Sequence, residues 1–94
     1  MDINDIQALM RETYGDRDQA RGLDGTFRWL TEEVGELARA IRTGDVAERR
    51  LELSDVLAWV ASVANLLEVD LDDAMARYAD GCPKCHQRPC VCPV

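Results

Sequence analysis

The chain has no apolar run approaching the roughly 18 residues of a membrane span, and no segment that reads as a strand, a repeat or a low-complexity linker. Positive charge is scarce: 11 lysines and arginines face 18 aspartates and glutamates, so the formal net charge is −7 with the one histidine neutral. A general nucleic-acid binder needs a basic face to displace counterions, so no nucleic-acid partner is expected. The first residues, Met-Asp-Ile-Asn-Asp, are acidic where a secretory signal is basic and then apolar. A cytoplasmic protein with no membrane partner is therefore expected. Cysteine is absent until Cys82, and all four cysteines then fall between Cys82 and Cys92. In a reducing compartment such clustering favours a metal over disulfides. Ninety-four residues make one domain, and a hydrophobic content of 47% suffices for one modest core. A chain this short gains from a bound metal or a partner subunit.

What is present is helical periodicity. Ile3, Ile6, Leu9, Met10 and Tyr14 form one apolar stripe, which predicts an amphipathic helix ending near Gly15. Residues 15 to 25 are polar, carry Gly15, Gly22 and Gly25, and read as a connecting turn with at most a short helical piece. A second helix is predicted from about Thr26 to Arg42, with the stripe Leu30, Val34, Leu37, Ile41 and Gly44 as its C-terminal cap. A third, the most apolar, is predicted from about Val46 to Leu67. Asp70 then caps a short fourth helix, with Asp72 and Asp73 in its first turn, fading near Asp80. Three prolines and four cysteines exclude a regular helix over residues 81 to 94. The expected organisation is a helical domain over 1–80 and a cysteine-rich tail over 81–94.

The second and third helices carry the chemistry. Glu32, Glu33 and Glu36 form an EExxE pattern, and Glu52 and Asp55 an ExxD pattern. Residues three or four apart share a helix face, so Glu33 lies with Glu36, and Glu52 with Asp55. The main stripe of the third helix is Leu53, Val56, Leu57, Val60, Ala64 and Leu67. Glu52 and Asp55 lie off that stripe, yet their side continues with Trp59 and Leu66, which a purely solvated face would not carry. This helix is thus expected to be buried on two sides, with its carboxylates at the edge of packing. Like charges repel there and desolvation raises the cost of each; a hard divalent cation such as Mg²⁺ relieves both. Either pattern alone is an ordinary solvated helix face. Together, on helices joined by a short turn at residues 43–45, they are able to converge across an antiparallel pair. Glu48, one turn before Glu52, reads as a surface partner for nearby arginines.

The stretch from Trp29 to Ile41, WLTEEVGELARAI, resembles the signature helix of MazG-like nucleotide pyrophosphohydrolases, and Glu52 to Leu57, ELSDVL, resembles that family's second motif. Fifteen residues separate Glu36 from Glu52, which suits the family's spacing, and the stretch from Ala64 to Leu71 resembles its turn into the last helix. The resemblance covers roughly residues 5 to 80. It implies an all-α, four-helix MazG-like bundle completed by oligomerisation, as a homodimer or homotetramer. It also implies Mg²⁺-dependent hydrolysis of a nucleoside triphosphate to the monophosphate and pyrophosphate, with clearing of non-canonical nucleotides as one use. By the same resemblance Glu33, Glu36, Glu52 and Asp55 match the metal-binding positions, and Glu32 matches the leading glutamate. Arg28 and Arg77 are candidates for holding phosphate oxygens, and Trp29 for stacking on a base, with a surface arginine or core packing as the alternative for each. The pattern departs from that of many relatives around Arg77, which stands about where they carry a lysine, and Asp80, about where they carry an asparagine. The usual basic continuation is replaced by the tail.

In that tail Cys82-Pro-Lys-Cys85 is a CxxC knuckle and Cys90-Val-Cys92 a tighter CxC. Four thiolates on Zn²⁺ would make a closed, structural, zinc-knuckle-like site; two disulfides, or free thiols, are the alternatives. His86 stands beside the cysteines as a possible substitute ligand. Lys84, the only lysine of the chain, and Arg88 lie within the loop, where they are candidates for contacting substrate phosphates. Against the enzyme reading stands a non-catalytic, zinc-tailed helical module that binds another protein.

Overall fold

Four helices in chain order, α1 (Ile3–Arg21), α2 (Leu23–Thr43), α3 (Val46–Leu67) and α4 (Leu71–Met75), precede a 3-10 turn (Ala76–Tyr78) and an irregular tail, in a computed structural model that describes all 94 residues. The fold is all-α, as the sequence implies, with no strand.

The helix boundaries have local causes. Asp2 and Asp5 form a reciprocal capping box at the start of α1, each side chain accepting from the other's backbone N–H. The expected stop near Gly15 is wrong: α1 runs on to Arg21. A glycine inside a helix costs only about 1 kcal/mol, and the last turn is held by an ion pair between Arg21 and Asp18 at 2.8 Å. The break comes at Gly22, whose φ of 86° is open to glycine and strained for other residues. Its N–H closes α1 on the Asp18 carbonyl, and α2 begins at Leu23, earlier than the sequence suggests. Asp45 caps α3 by accepting from the Glu48 N–H, and Asp70 caps α4 by accepting from that of Asp73.

Helices α2 and α3 pack as an antiparallel hairpin about the turn at Gly44–Asp45, and α1 lies against α3. Arg49 ties the hairpin by donating from Nε to the Ala40 carbonyl and from Nη2 to that of Ile41, satisfying carbonyls in the last turns of α2. Gln7 ties α1 to the α3–α4 link. Its Nε2 donates to the Val69 carbonyl at 2.7 Å, and its Oε1 accepts from the Leu71 N–H at 2.9 Å.

Only seven residues are buried: Gln7, Asp18, Thr26, Ala40, Ala61, Ser62 and Ala64. The core is thus small and half polar, and it lies where α3 meets α1 and α2. Burial of the main apolar stripe of α3 is partial: Ala64 is buried and Val56 and Val60 are half-buried, but Leu53 and Leu57 remain 50% and 58% exposed. The packed side of α3 also bears Ala61 and Ser62, flanked by half-buried Asp55 and Trp59. A single chain leaves this leucine face uncovered, a large apolar surface of the kind that interaction sites present.

Candidate functional site

The α2–α3 hairpin brings Glu33, Glu52 and Asp55 together. Each is half-buried and offers a carboxylate oxygen, and these oxygens all lie within 4.8 Å of one another. Glu33 comes from the middle of α2, while Glu52 and Asp55 stand one turn apart on α3. Burial pushes the Glu33 carboxyl above the ordinary carboxylate range, and repulsion from Asp55 and then Glu52 adds to it. One oxygen of Glu52, Oε2, is sealed from solvent and has no hydrogen-bond partner. Sealed carboxylate oxygens are costly unless a donor or a cation meets them. Crowded oxygen donors, a carboxyl that resists ionising without a counter-charge and an orphaned oxygen are together the donor set a hard divalent cation fits.

The other two acidic candidates stand differently. Glu36 is half-buried and forms an ion pair with Arg39, one turn on along the same helix. It adds to the repulsion at Glu33 but lies outside the three-carboxylate cluster. Glu32 is exposed and also outside that cluster. Glu48, expected to pair with arginines, is exposed and makes no ion pair.

Open space adjoins the cluster on two sides. A cavity of about 260 Å³ is lined by Glu36, Arg39, Glu48 and Glu52. Another, of about 280 Å³, is lined by Asp55 and Trp59 on α3 and by Tyr14, Asp18 and Arg21 on α1. A roomier cavity of about 640 Å³ between α1 and the end of α3 includes none of the clustered carboxylates.

The substrate-contact candidates are spread over the surface. Trp29 is 46% exposed and stacks on Trp59, ring centres 6.0 Å apart and planes 13° from parallel. Arg28 is exposed, and Arg77 lies over its neighbour Tyr78. Lys84 and Arg88 are exposed in the tail. Two residues that sequence reasoning passed over stand at the Trp59 cavity. Asp18 is only 2% exposed, with Oδ1 bound to Arg21 and Oδ2 unpartnered. Arg21 also donates to Thr26 and sits 4.9 Å from the centre of the Trp59 ring. The one signal in the sequence was the Asp18/Arg21 spacing of three.

The tail gathers Cys82, Cys85, Cys90 and Cys92, whose sulfurs also lie within 4.8 Å of one another, all as free thiols. Backbone N–H groups of Cys85 and Lys84 hold the Cys82 thiol below its ordinary value, and that of Val91 brings Cys85 down to about 6. Contacts with the sulfurs of Cys90, Cys85 and Cys82 push Cys92 up to about 11. His86 is exposed and outside the group.

No curated protein matches the chain. The family model of the MazG nucleotide pyrophosphohydrolase domain matches residues 21–90, from the last residue of α1 through α2 and α3 into the cysteine tail. With well over half its length matched, and with paired acidic motifs on an antiparallel helical hairpin, the chain belongs to the MazG nucleotide pyrophosphohydrolase family.

Proposed function

We propose that the protein is a Mg²⁺-dependent nucleoside triphosphate pyrophosphohydrolase that cleaves its substrate to the monophosphate and pyrophosphate in the cytoplasm. The observation that carries the reading is the meeting of Glu33, Glu52 and Asp55 around an orphaned carboxylate oxygen beside open cavities. A triphosphate is strongly anionic, and a bare cluster of carboxylates would repel it. Bound to those carboxylates, Mg²⁺ would neutralise charge on the phosphates and lower the pKa of the attacking water.

The rest falls to the chain's own residues. Glu33, Glu52 and Asp55 are the ligands, joined by Glu36 once its side chain leaves Arg39. The exposed Glu32, on the same helix, orients the water and accepts its proton. Arg28, Arg77, Lys84 and Arg88 are the groups that hold phosphate oxygens, through charge and, for the arginines, forked donors. Trp29, already stacked on Trp59, offers an aromatic face to a base. The uncovered leucine face of α3 is where a second copy packs, giving a homodimer or homotetramer. Removal of non-canonical nucleotides suits such a hydrolase.

The test is a pyrophosphate-release screen over canonical and modified nucleoside triphosphates, with Mg²⁺ and with a chelator. Release from at least one nucleotide, lost on chelation, is expected. A chain that hydrolyses none of them under any divalent cation is instead a non-catalytic helical module.

A further inference from the structure

The geometry points to a second metal site of a different class: Cys82, Cys85, Cys90 and Cys92 form a closed, structural Zn²⁺ site that folds residues 81–94. Four sulfurs held about 2.3 Å from a tetrahedral Zn²⁺ stand about 3.8 Å from one another. The Cys82 and Cys92 sulfurs are 3.7 Å apart and those of Cys85 and Cys90 are 3.9 Å apart. A disulfide would bring either pair to about 2.05 Å. The sulfurs are therefore spaced for a common ion and not for bonding to each other.

The backbone around them is arranged for anionic sulfur. The Val91 N–H donates to the Cys85 sulfur at 3.5 Å and the Cys92 N–H to that of Cys90 at 3.4 Å. Such donors spread the charge of two minus that four thiolates and Zn²⁺ carry together. Lys84 and Arg88 lie in the same loop and offset it further, a role independent of any substrate. The loop itself is closed by the Cys82 N–H on the Gln87 carbonyl and the His86 N–H on the Cys82 carbonyl.

A folding argument leads to the same ion. No residue of 81–94 is buried, so the segment has no apolar core with which to offset its conformational entropy. In small units of this kind, metal binding supplies the folding free energy. Because all four positions are thiolates, no place is left for water or substrate, which makes the ion structural and separates it from the oxygen-ligated cation at the carboxylates.

The test is metal content and Co²⁺ spectroscopy on the full-length protein, purified with reductant. One tightly held zinc per chain is expected, and replacement by Co²⁺ should give intense visible bands of tetrahedral cobalt with sulfur-to-metal charge transfer. Cys85→Ser and Cys92→Ser should each weaken retention at least about tenfold and shift those bands, while far-UV circular dichroism keeps its helical signal. His86→Ala should change neither stoichiometry nor spectrum. Four thiols that react freely in excess Zn²⁺, a Co²⁺ spectrum without the charge-transfer band, or a spectrum altered by His86→Ala would overturn the assignment. None of these readouts depends on nucleotide hydrolysis.

Discussion

The carboxylate cluster and the cysteine cluster hold their ligand atoms within the same 4.8 Å span, yet they are built by opposite means. Glu33, Glu52 and Asp55 are placed by the two longest helices, capped and tied by Asp45 and Arg49. The cysteines are placed by fourteen residues with no buried side chain and few backbone hydrogen bonds. In the first site the fold holds the ligands; in the second the ligands hold the fold. The donor chemistry follows. Oxygens suit a hard cation that keeps open positions for water and phosphate, whereas four thiolates close their ion off.

The largest effect that would sharpen this contrast is on catalysis. Glu52→Gln or Asp55→Asn should lower pyrophosphate release by at least about 100-fold, since even outer-shell changes at metal sites reach that size. Circular dichroism should show intact helices. If either variant also melted the hairpin, the claim that its scaffold is independent of the ion would fail.

Next comes a break in the tail. Gly81 has φ 104°, and a Cβ there would lie 2.8 Å from the Gln87 carbonyl oxygen. Gly81→Ala should therefore add about 1–3 kcal/mol of strain, equivalent to a loss of roughly 5- to 150-fold in zinc affinity. Competition with a zinc chelator reads this directly, and Mg²⁺-dependent binding at the carboxylates should not change.

A smaller effect tests the hairpin. Arg49→Ala removes both hydrogen bonds to the carbonyls of Ala40 and Ile41. It should cost about 1–2 kcal/mol in urea unfolding and leave zinc content unaltered.

Much of this contrast was legible in the sequence, for reasons that also explain what was not. The limits of α3 and the caps at Gly44 and Asp70 stand as the periodicity and cap chemistry indicate. Trp59 beside Asp55 correctly marked the packed edge of α3. Gly15 misled because glycine is a weak helix breaker when the flanking turns are supported, and the support from Asp18 and Arg21 is polar and invisible to apolar periodicity. Hydrophobicity predicts burial on two sides of α3 but does not distinguish a core from a face such as that of Leu53 and Leu57, which a single chain leaves uncovered. Helix geometry allows the two acidic patterns to meet and the family resemblance implies it, but the pairing of Glu36 with Arg39, which leaves Glu33, Glu52 and Asp55 as the cluster, is a side-chain choice that spacing alone leaves open.

The smallest predicted effect concerns pH. The Glu33 carboxyl is raised by burial and by its acidic neighbours, so the folded state binds that proton more tightly than the unfolded chain. Stability of the metal-free protein should then fall as pH rises from the ordinary carboxylate value through the raised one. Mg²⁺ should cancel the fall, because the charged form becomes a ligand. Thermal melts over a pH series, with chelator and with Mg²⁺, should show the slope only in chelator, and Glu33→Gln should flatten it.

The central claim is hydrolysis of a nucleoside triphosphate between its first and second phosphates, directed by the carboxylates of α2 and α3. Phosphorus NMR of the products formed by the wild-type protein with Mg²⁺ tests it most directly. Monophosphate and pyrophosphate in equal amounts, absent with Glu52→Gln, are the expected result. Orthophosphate with diphosphate, or an unchanged triphosphate across the whole nucleotide panel, would contradict it.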